Sequence, residues 1–298
     1  MKFRAHDTFF IRKGWLTKGM KNILIDPTVF VNKTNNPMDT LGLGANMVKS
    51  LRYWLQAVGL TQEPNSGQRH QTLTPFGQVI YENDKYIEEP GTLWLLHYKL
   101  ASNFEDATSW YYFFNEFKLS EFTRDDFISH ISNFLKEKEP EKIHSLKTLE
   151  DDYNCIINTY LPRFKSNPEK INPESNIDCP LGELQIVDIS NKKAKLYRKC
   201  QPKPDTIHPL IALAIIIDNL TEQSKKSKEI KISDLQNSYN NIGKILNLDI
   251  ITLTSLLYKL ENSEYIKVIR TAGLDVIRLT TELDFIGCVK EYYLAING

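Results

Sequence analysis

At 298 residues the chain is long enough for two or three compact units, because a single hydrophobic core stops growing well before that length. Hydrophobic residues at 41% and charged residues at 25% exclude a disordered or low-complexity chain, and 14 Phe with 14 Tyr supply aromatic core material. The formal net charge is zero, but residues 1–80 hold ten Lys/Arg against four Asp/Glu, while residues 81–150 hold fourteen acids against eight bases. A basic module followed by an acidic one steers a polyanion to one face.

The start, Met1-Lys2-Phe3-Arg4, lacks the apolar core of a signal peptide, and the longest apolar run, residues 210–217, falls far short of the ~20 residues that cross a bilayer. A cytoplasmic chain that does not enter membranes is expected. Cys155, Cys179, Cys200 and Cys288 are widely spaced and form no C-x-x-C pair, so they read as buried thiols in a reducing compartment.

The pattern predicts a mainly α fold with small β wings: two winged helix-turn-helix-like modules flanking a helical middle region. Four segments are expected: a basic winged-helix-like DNA-binding domain over 1–100, a helical aromatic-rich region over 101–161, a linker and small β-hairpin over 162–205, and a C-terminal winged helix over 206–298. In the first, Asp7 or Thr8 caps an opening helix and Arg12, Lys13 and Lys18 follow as phosphate contacts. Residues 39–44 read as a short helix and a Gly-containing turn. Met47, Leu51, Trp54, Leu55 and Val58 then mark one helix face, leaving Asn46, Lys49, Arg52 and Tyr53 for DNA. Gly59 stops that helix, and residues 61–73 form a wing carrying Arg69 and His70. Thr74-Pro75 caps the next helix.

Trp94, Trp110, Phe113, Phe117 and Phe127 lie among acids and read as core, since base-stacking aromatics are few, exposed and mixed with Arg or Lys. The run Glu150-Asp151-Asp152 offers carboxylate oxygens to Mg²⁺ in one reading and a solvated helix face in the other, which the pattern favours. Residues 184–189 and 194–197 read as a hairpin turned at 190–192, with six bases and no acid between Asn191 and Lys203. Lys192 and Lys193 on that turn are candidate phosphate contacts, or the charges of a solubilising edge.

From His208 the order is an apolar helix to Thr221, a strand at 229–232, a helix capped by Ser233 and Asp234 through Leu246, a helix capped by Asp249, and a hairpin over 266–279. Ten bases face nine acids from Lys225 onward, so this copy is read as a docking or homodimerising module.

Phosphate-binding, dinucleotide, H-E-x-x-H and nucleophile-elbow motifs are absent. One constellation suits phosphodiester chemistry: His6 and Asp7 as general acid or base, with Arg12, Lys13 and Lys18 to stabilise charge. The competing reading makes the same residues a helix start followed by phosphate-contacting bases.

The segments Phe3-Arg4-Ala5-His6-Asp7-Thr8-Phe9, Gly14-Trp15-Leu16-Thr17-Lys18-Gly19, residues 41–54 and Cys179-Pro180-Leu181-Gly182-Glu183-Leu184 resemble the SspB-like family of bacterial DNA phosphorothioation systems, the domain of unknown function 4007 family, over essentially the whole chain. The resemblance implies an antiphage DNA-modification role: a DNA nicking endonuclease that opens one strand of duplex DNA for sulfur incorporation, working with cysteine desulfurase, ATP-pyrophosphatase-like and ATPase partners. It carries His6, Asp7, Arg12, Lys18, Asn46, Lys49 and Arg52 as functional positions. A nuclease of this kind would use Mg²⁺ or another divalent metal. The alternative is an adaptor that binds DNA and recruits the sulfur-transfer enzymes without cutting.

Overall fold

Thr74, Thr123, Ser145, Asp249 and Asp284 each accept a backbone N–H from three residues further on, and a helix begins at each of them. Such side chains satisfy donors that the first helical turn leaves without partners. The structure, a computed structural model, describes residues 1–64, 67, 69–161, 179–203, 205–222, 228–271 and 274–298. It is mainly helical with small antiparallel sheets, in two compact units, Met1–Cys200 and Gln201–Gly298. The sequence boundaries at 100 and 161 fall within the first unit. Among the described residues no helix is long and apolar enough to cross a membrane.

In the first unit, α1 (Trp15–Ile25), α2 (Pro37–Leu41) and α3 (Ala45–Ala57) pack together. The apolar face of α3 is buried as expected, with Leu51, Trp54 and Leu55 at 0% exposure. The helix stops at Ala57, and Gly59 takes the left-handed φ of 74° that turns the chain into β1 (Thr61–Gln62). β1 pairs antiparallel with β2 (Thr72–Leu73), Thr61 opposite Leu73. Residues 65, 66 and 68 of the expected wing lie outside the described residues. Thr74 then caps α4 (Pro75–Asn83), with Pro75 in its first turn.

The aromatic middle is core: α5 (Pro90–Ser102), α6 (Thr108–Asn115), α7 (Arg124–Lys138) and α8 (Leu146–Tyr160) enclose Trp94, Trp110, Phe113 and Phe127, each at 1% exposure or less. A strand not anticipated from the sequence, β3 (Glu121–Phe122), joins β4 (Val187–Asn191) and β5 (Leu196–Lys199) in the order β3-β5-β4. The expected hairpin is displaced toward the C-terminus. Pro180–Leu184 forms a 3-10 turn, and Gln185 at φ 54° turns the chain before it extends.

Two further expectations are corrected. No helix starts at Asp7 or Thr8: both have positive φ, 49° and 68°, and the first helix begins at Trp15. The loop before it is held by side chains instead of helical hydrogen bonds. Glu150-Asp151-Asp152 is no solvated face either, because Asp151 and Asp152 are 7% and 1% exposed.

In the second unit the apolar helix α9 (Pro209–Glu222) packs against α12 (Ile250–Asn262) and α13 (Phe285–Asn297). β6 (Glu229–Lys231), β7 (Ile266–Thr271) and β8 (Leu274–Leu279) form a sheet in the order β6-β8-β7. The helix expected to run from Ser233 to Leu246 is two pieces, α10 (Ile232–Asn237) and α11 (Ile242–Ile245). Lys231, not Ser233 or Asp234, stands at the N-cap of α10. Asn240 at φ 61° separates the two pieces, a conformation Asn tolerates better than most residues.

Candidate nucleic-acid interface

The N-terminal loop is fastened to α3, α6 and α8. Trp54 Nε1 and Ser50 Oγ, from α3, donate to the Phe9 carbonyl at 2.9 and 3.3 Å. His6, 1% exposed, accepts the Thr8 N–H at Nδ1 (3.1 Å), which leaves its proton on Nε2, 2.8 Å from Asp152 Oδ1. Its ring stacks on Trp54, with centroids 5.9 Å apart, and meets Trp110 edge-on at 5.6 Å. The Asp152 carboxylate also accepts the Arg4 N–H (2.8 Å) and the Ser109 hydroxyl (2.6 Å). Next to it, Asp151 pairs with Arg4 Nε at 2.9 Å and Lys147 Nζ at 2.8 Å. Ser109 and His6 sit on opposite sides of Asp152, so these three do not form a nucleophile–base relay, which needs the hydroxyl on the imidazole. Both His6 nitrogens are engaged within the protein. Asp7 beside it is half-buried.

The bases flagged by the sequence divide into committed and open ones. Arg52 grips Glu63 with two nitrogens, Nε at 3.1 Å from Oε2 and Nη2 on Oε1, tying α3 to the end of β1. Tyr53 donates its hydroxyl to the Asp106 carbonyl at 2.9 Å, and burial pushes its pKa well above the usual tyrosine value. Arg12 lies over the rings of Phe9 and Trp15, 5.6 and 5.3 Å from their centroids. Lys18 donates to the Leu41 carbonyl at 2.9 Å, joining α1 to α2. By contrast Lys13, Asn46, Lys49 and Arg69 are exposed, and Lys49 and Arg69 have no ion-pair partner among the described residues. His70 is half-buried on the β1–β2 connection. Lys192 and Lys193 are exposed at the β4–β5 turn, as is Lys195, which the sequence reading did not single out.

Lys13, Lys18 and the unflagged Lys21 line one wall of a cleft of about 640 Å³ between α1, the Asp39–Gly42 end of α2 and the turn carrying Tyr86 and Glu88. The spacing of Lys18 and Lys21 was the available signal: residues three apart share a helix face, here the face opposite buried Leu16, Met20 and Ile23. Tyr86 has no comparable signal in the sequence, since nothing local says that its ring stays in solvent.

The chain matches the profile described as protein of unknown function (DUF4007) over residues 3–293. A search of curated proteins found no match. Two solved structures share the fold: the crystal structure of magnesium ion-bound SspB, at 23% identity and a TM-score of 0.84 over 99% of this chain and 87% of that one, and an SspB crystal structure, at 23% identity and a TM-score of 0.85 over 100% and 89%. Among the described residues no group of three His, Cys, Asp or Glu side chains is placed to hold a metal ion. The carboxylates of Asp151 and Asp152 are already taken by Arg4, Lys147, His6 and Ser109. With nearly its whole length inside the family profile, this chain belongs to the DUF4007 family.

Proposed function

We propose that this protein is the DNA-engaging component of a bacterial DNA phosphorothioation system and that it opens one strand of a duplex for sulfur incorporation. Open bases on the first unit carry the reading: Lys21, Lys49 and Arg69 stand exposed on or next to α1, α3 and the β1–β2 pair, where phosphate contacts need them, with exposed Asn46 beside Lys49 and Lys13 in a loose 3.8 Å pair with Glu88. The likeness in fold to SspB supports this reading. The helix order and terminal strand pairs of both units suit winged helices, with α3 and α12 as the helices presented outward. His6 serves this function by holding the loop that ends at Lys13, and Asp7 is the member of the pair left accessible to a reacting phosphodiester. A purified chain with Mg²⁺ should relax supercoiled plasmid to open circle, and Asp7→Asn should lose relaxation while keeping the gel shift. Retained relaxation removes Asp7 from the reaction.

A non-cutting adaptor is the second reading, favoured by the engagement of both His6 nitrogens. It gives duplex binding, no scission, and a complex with the cysteine desulfurase or ATPase partners.

The second unit serves self-association in this scheme. On α12, Ile250, Ile251 and Tyr258 are 53%, 77% and 43% exposed, next to Thr254 and Ser255. Two copies crossing antiparallel at Thr254 and Ser255 would bring Ile251 against Tyr258 of the second copy. Sedimentation equilibrium should show a dimer at tens of micromolar that Ile251→Glu dissociates. A monomer at that concentration removes this part of the scheme.

A further inference from the structure

We infer that the cleft between α1 and the Tyr86 turn receives an unpaired nucleotide of a DNA strand, its base on Tyr86 and its phosphates against Lys18 and Lys21. This rests on the proposed DNA binding and adds to it a second mode of contact: duplex through the exposed Asn46 and Lys49 of α3, a single unstacked nucleotide here.

Three observations combine. The cleft holds about 640 Å³, within the range of pockets that take small organic ligands. Its α1 wall presents three ammonium groups, and Lys21 has no ion-pair partner among the described residues. Opposite stands Tyr86, 59% exposed, on a turn that gives it little freedom to move. Asp84 accepts the N–H groups of Glu88 (3.0 and 3.1 Å) and Glu89 (3.0 Å), Ile87 is buried at 5% exposure in spite of a φ of 59°, and the Thr17 hydroxyl donates to the Lys85 carbonyl at 2.6 Å. An aromatic ring kept in solvent by a turn this firmly held, facing lysines, is what stacking on a nucleobase requires, and it differs from the buried aromatics of α5–α8. The Lys85 ammonium lies over the Tyr86 ring, 4.9 Å from its centroid, and adds to the cationic surround. Two carboxylates also line the cleft, Asp39 and Glu88, the latter 3.8 Å from the Lys13 ammonium; they disfavour phosphate beside them and suit the amino edges of a base. Lys18 and Lys21 are thus the lysines left to a phosphate, with the base on Tyr86.

The test compares two fluorescein-labelled 24-base-pair probes by anisotropy with the full chain at 50 mM salt: one intact, the other with a three-nucleotide single-stranded gap containing 2-aminopurine. The gapped probe should bind at least fivefold more tightly and its 2-aminopurine emission should fall on stacking. Tyr86→Ala should abolish that preference and the quenching while leaving intact-duplex affinity unchanged, and Tyr86→Phe should keep both. Lys21→Ala should weaken gapped-probe binding more than duplex binding. Equal affinity for the two probes, or a preference that survives Tyr86→Ala, overturns the inference and leaves the DNA-binding reading standing. Absence of binding to either probe overturns both. Competition by deoxyadenosine monophosphate at the concentration of the gapped probe overturns the assignment to a strand in favour of a free nucleotide.

Discussion

His6 shows how a residue type that suggests catalysis can be committed to architecture. Its imidazole sits between a backbone N–H and a buried carboxylate, and the same carboxylate holds Arg4 and Ser109. Removing the imidazole strips a charged, buried acceptor of one donor, a loss of about 1.5–3 kcal/mol. His6→Ala should therefore lower the melting temperature by roughly 3–12 °C, given about 2–4 °C per kcal/mol for a unit of this size. An unchanged melting temperature with lost activity would return His6 to the reacting groups. The sequence pointed to His6 because of its company, Asp7 and the following bases. It gave no view of Asp152, 146 positions away. The periodicity of α8 did hold a clue: Leu149, Asp152, Tyr153, Ile156 and Tyr160 fall on one face, and that face is buried. Three adjacent acids read as solvated by composition, while position on the helix turns Asp152 onto the buried face.

At the scale of elements, what was legible followed from side chains acting on their immediate neighbours. Thr74-Pro75 and Asp249 start helices where expected, and Gly59 ends one, because capping and left-handed turns depend on a few adjacent residues. Failures came where distant contacts decide: β3 exists because β5 pairs with it, Phe122 opposite Tyr197. The capping box of α7 gives a pH prediction. Asp126 accepts the Thr123 N–H (2.8 Å) and hydroxyl (2.7 Å), and these bonds, the backbone one foremost, hold its carboxyl below the usual range. A lowered folded value means stabilisation that is complete above the unfolded carboxyl pKa, ~3.9, and lost as pH falls through the folded value. Urea titrations between pH 6 and 3 should show Asp126→Asn reducing the slope of stability against pH. Thr123→Ala should cost about 1 kcal/mol at neutral pH. A second element-level test concerns α4. A β-carbon on Gly77 would run into the Leu60 carbonyl just before β1, so Gly77→Ala should destabilise by about 1–3 kcal/mol although alanine favours helices. A neutral or stabilising result would mean that α4 shifts away from β1 freely.

For the whole molecule, zero net charge conceals a division of labour. The first 80 residues carry six more bases than acids (ten less four), while the chain from Lys225 onward is nearly balanced at ten against nine. Pairing with acids outside this segment narrows the first figure, since Arg4 is spent on Asp151 and Lys2 on Asp106. Three or four phosphate contacts are therefore expected, giving a slope of log affinity against log salt of about −3 to −4, at about −0.9 per contact. Lys49→Ala should make the slope shallower by about 0.9, and a slope that does not change removes Lys49 from the contact surface.

The pairing of β3 with β5 has a consequence for the continuity of the chain. Lys199 reaches back 86 positions to the carbonyl of Phe113 (2.6 Å) and 82 to that of Phe117 (2.5 Å), and β5 lies between strands drawn from either side of residues 162–178. The polypeptide before and after that stretch is woven into one sheet, so the covalent link between them is dispensable once folding is complete. A protease site engineered at residue 170 and cut in the native protein should yield two fragments that travel together through gel filtration and part only in denaturant. Expressed separately, neither fragment should form this sheet, because each holds only part of it.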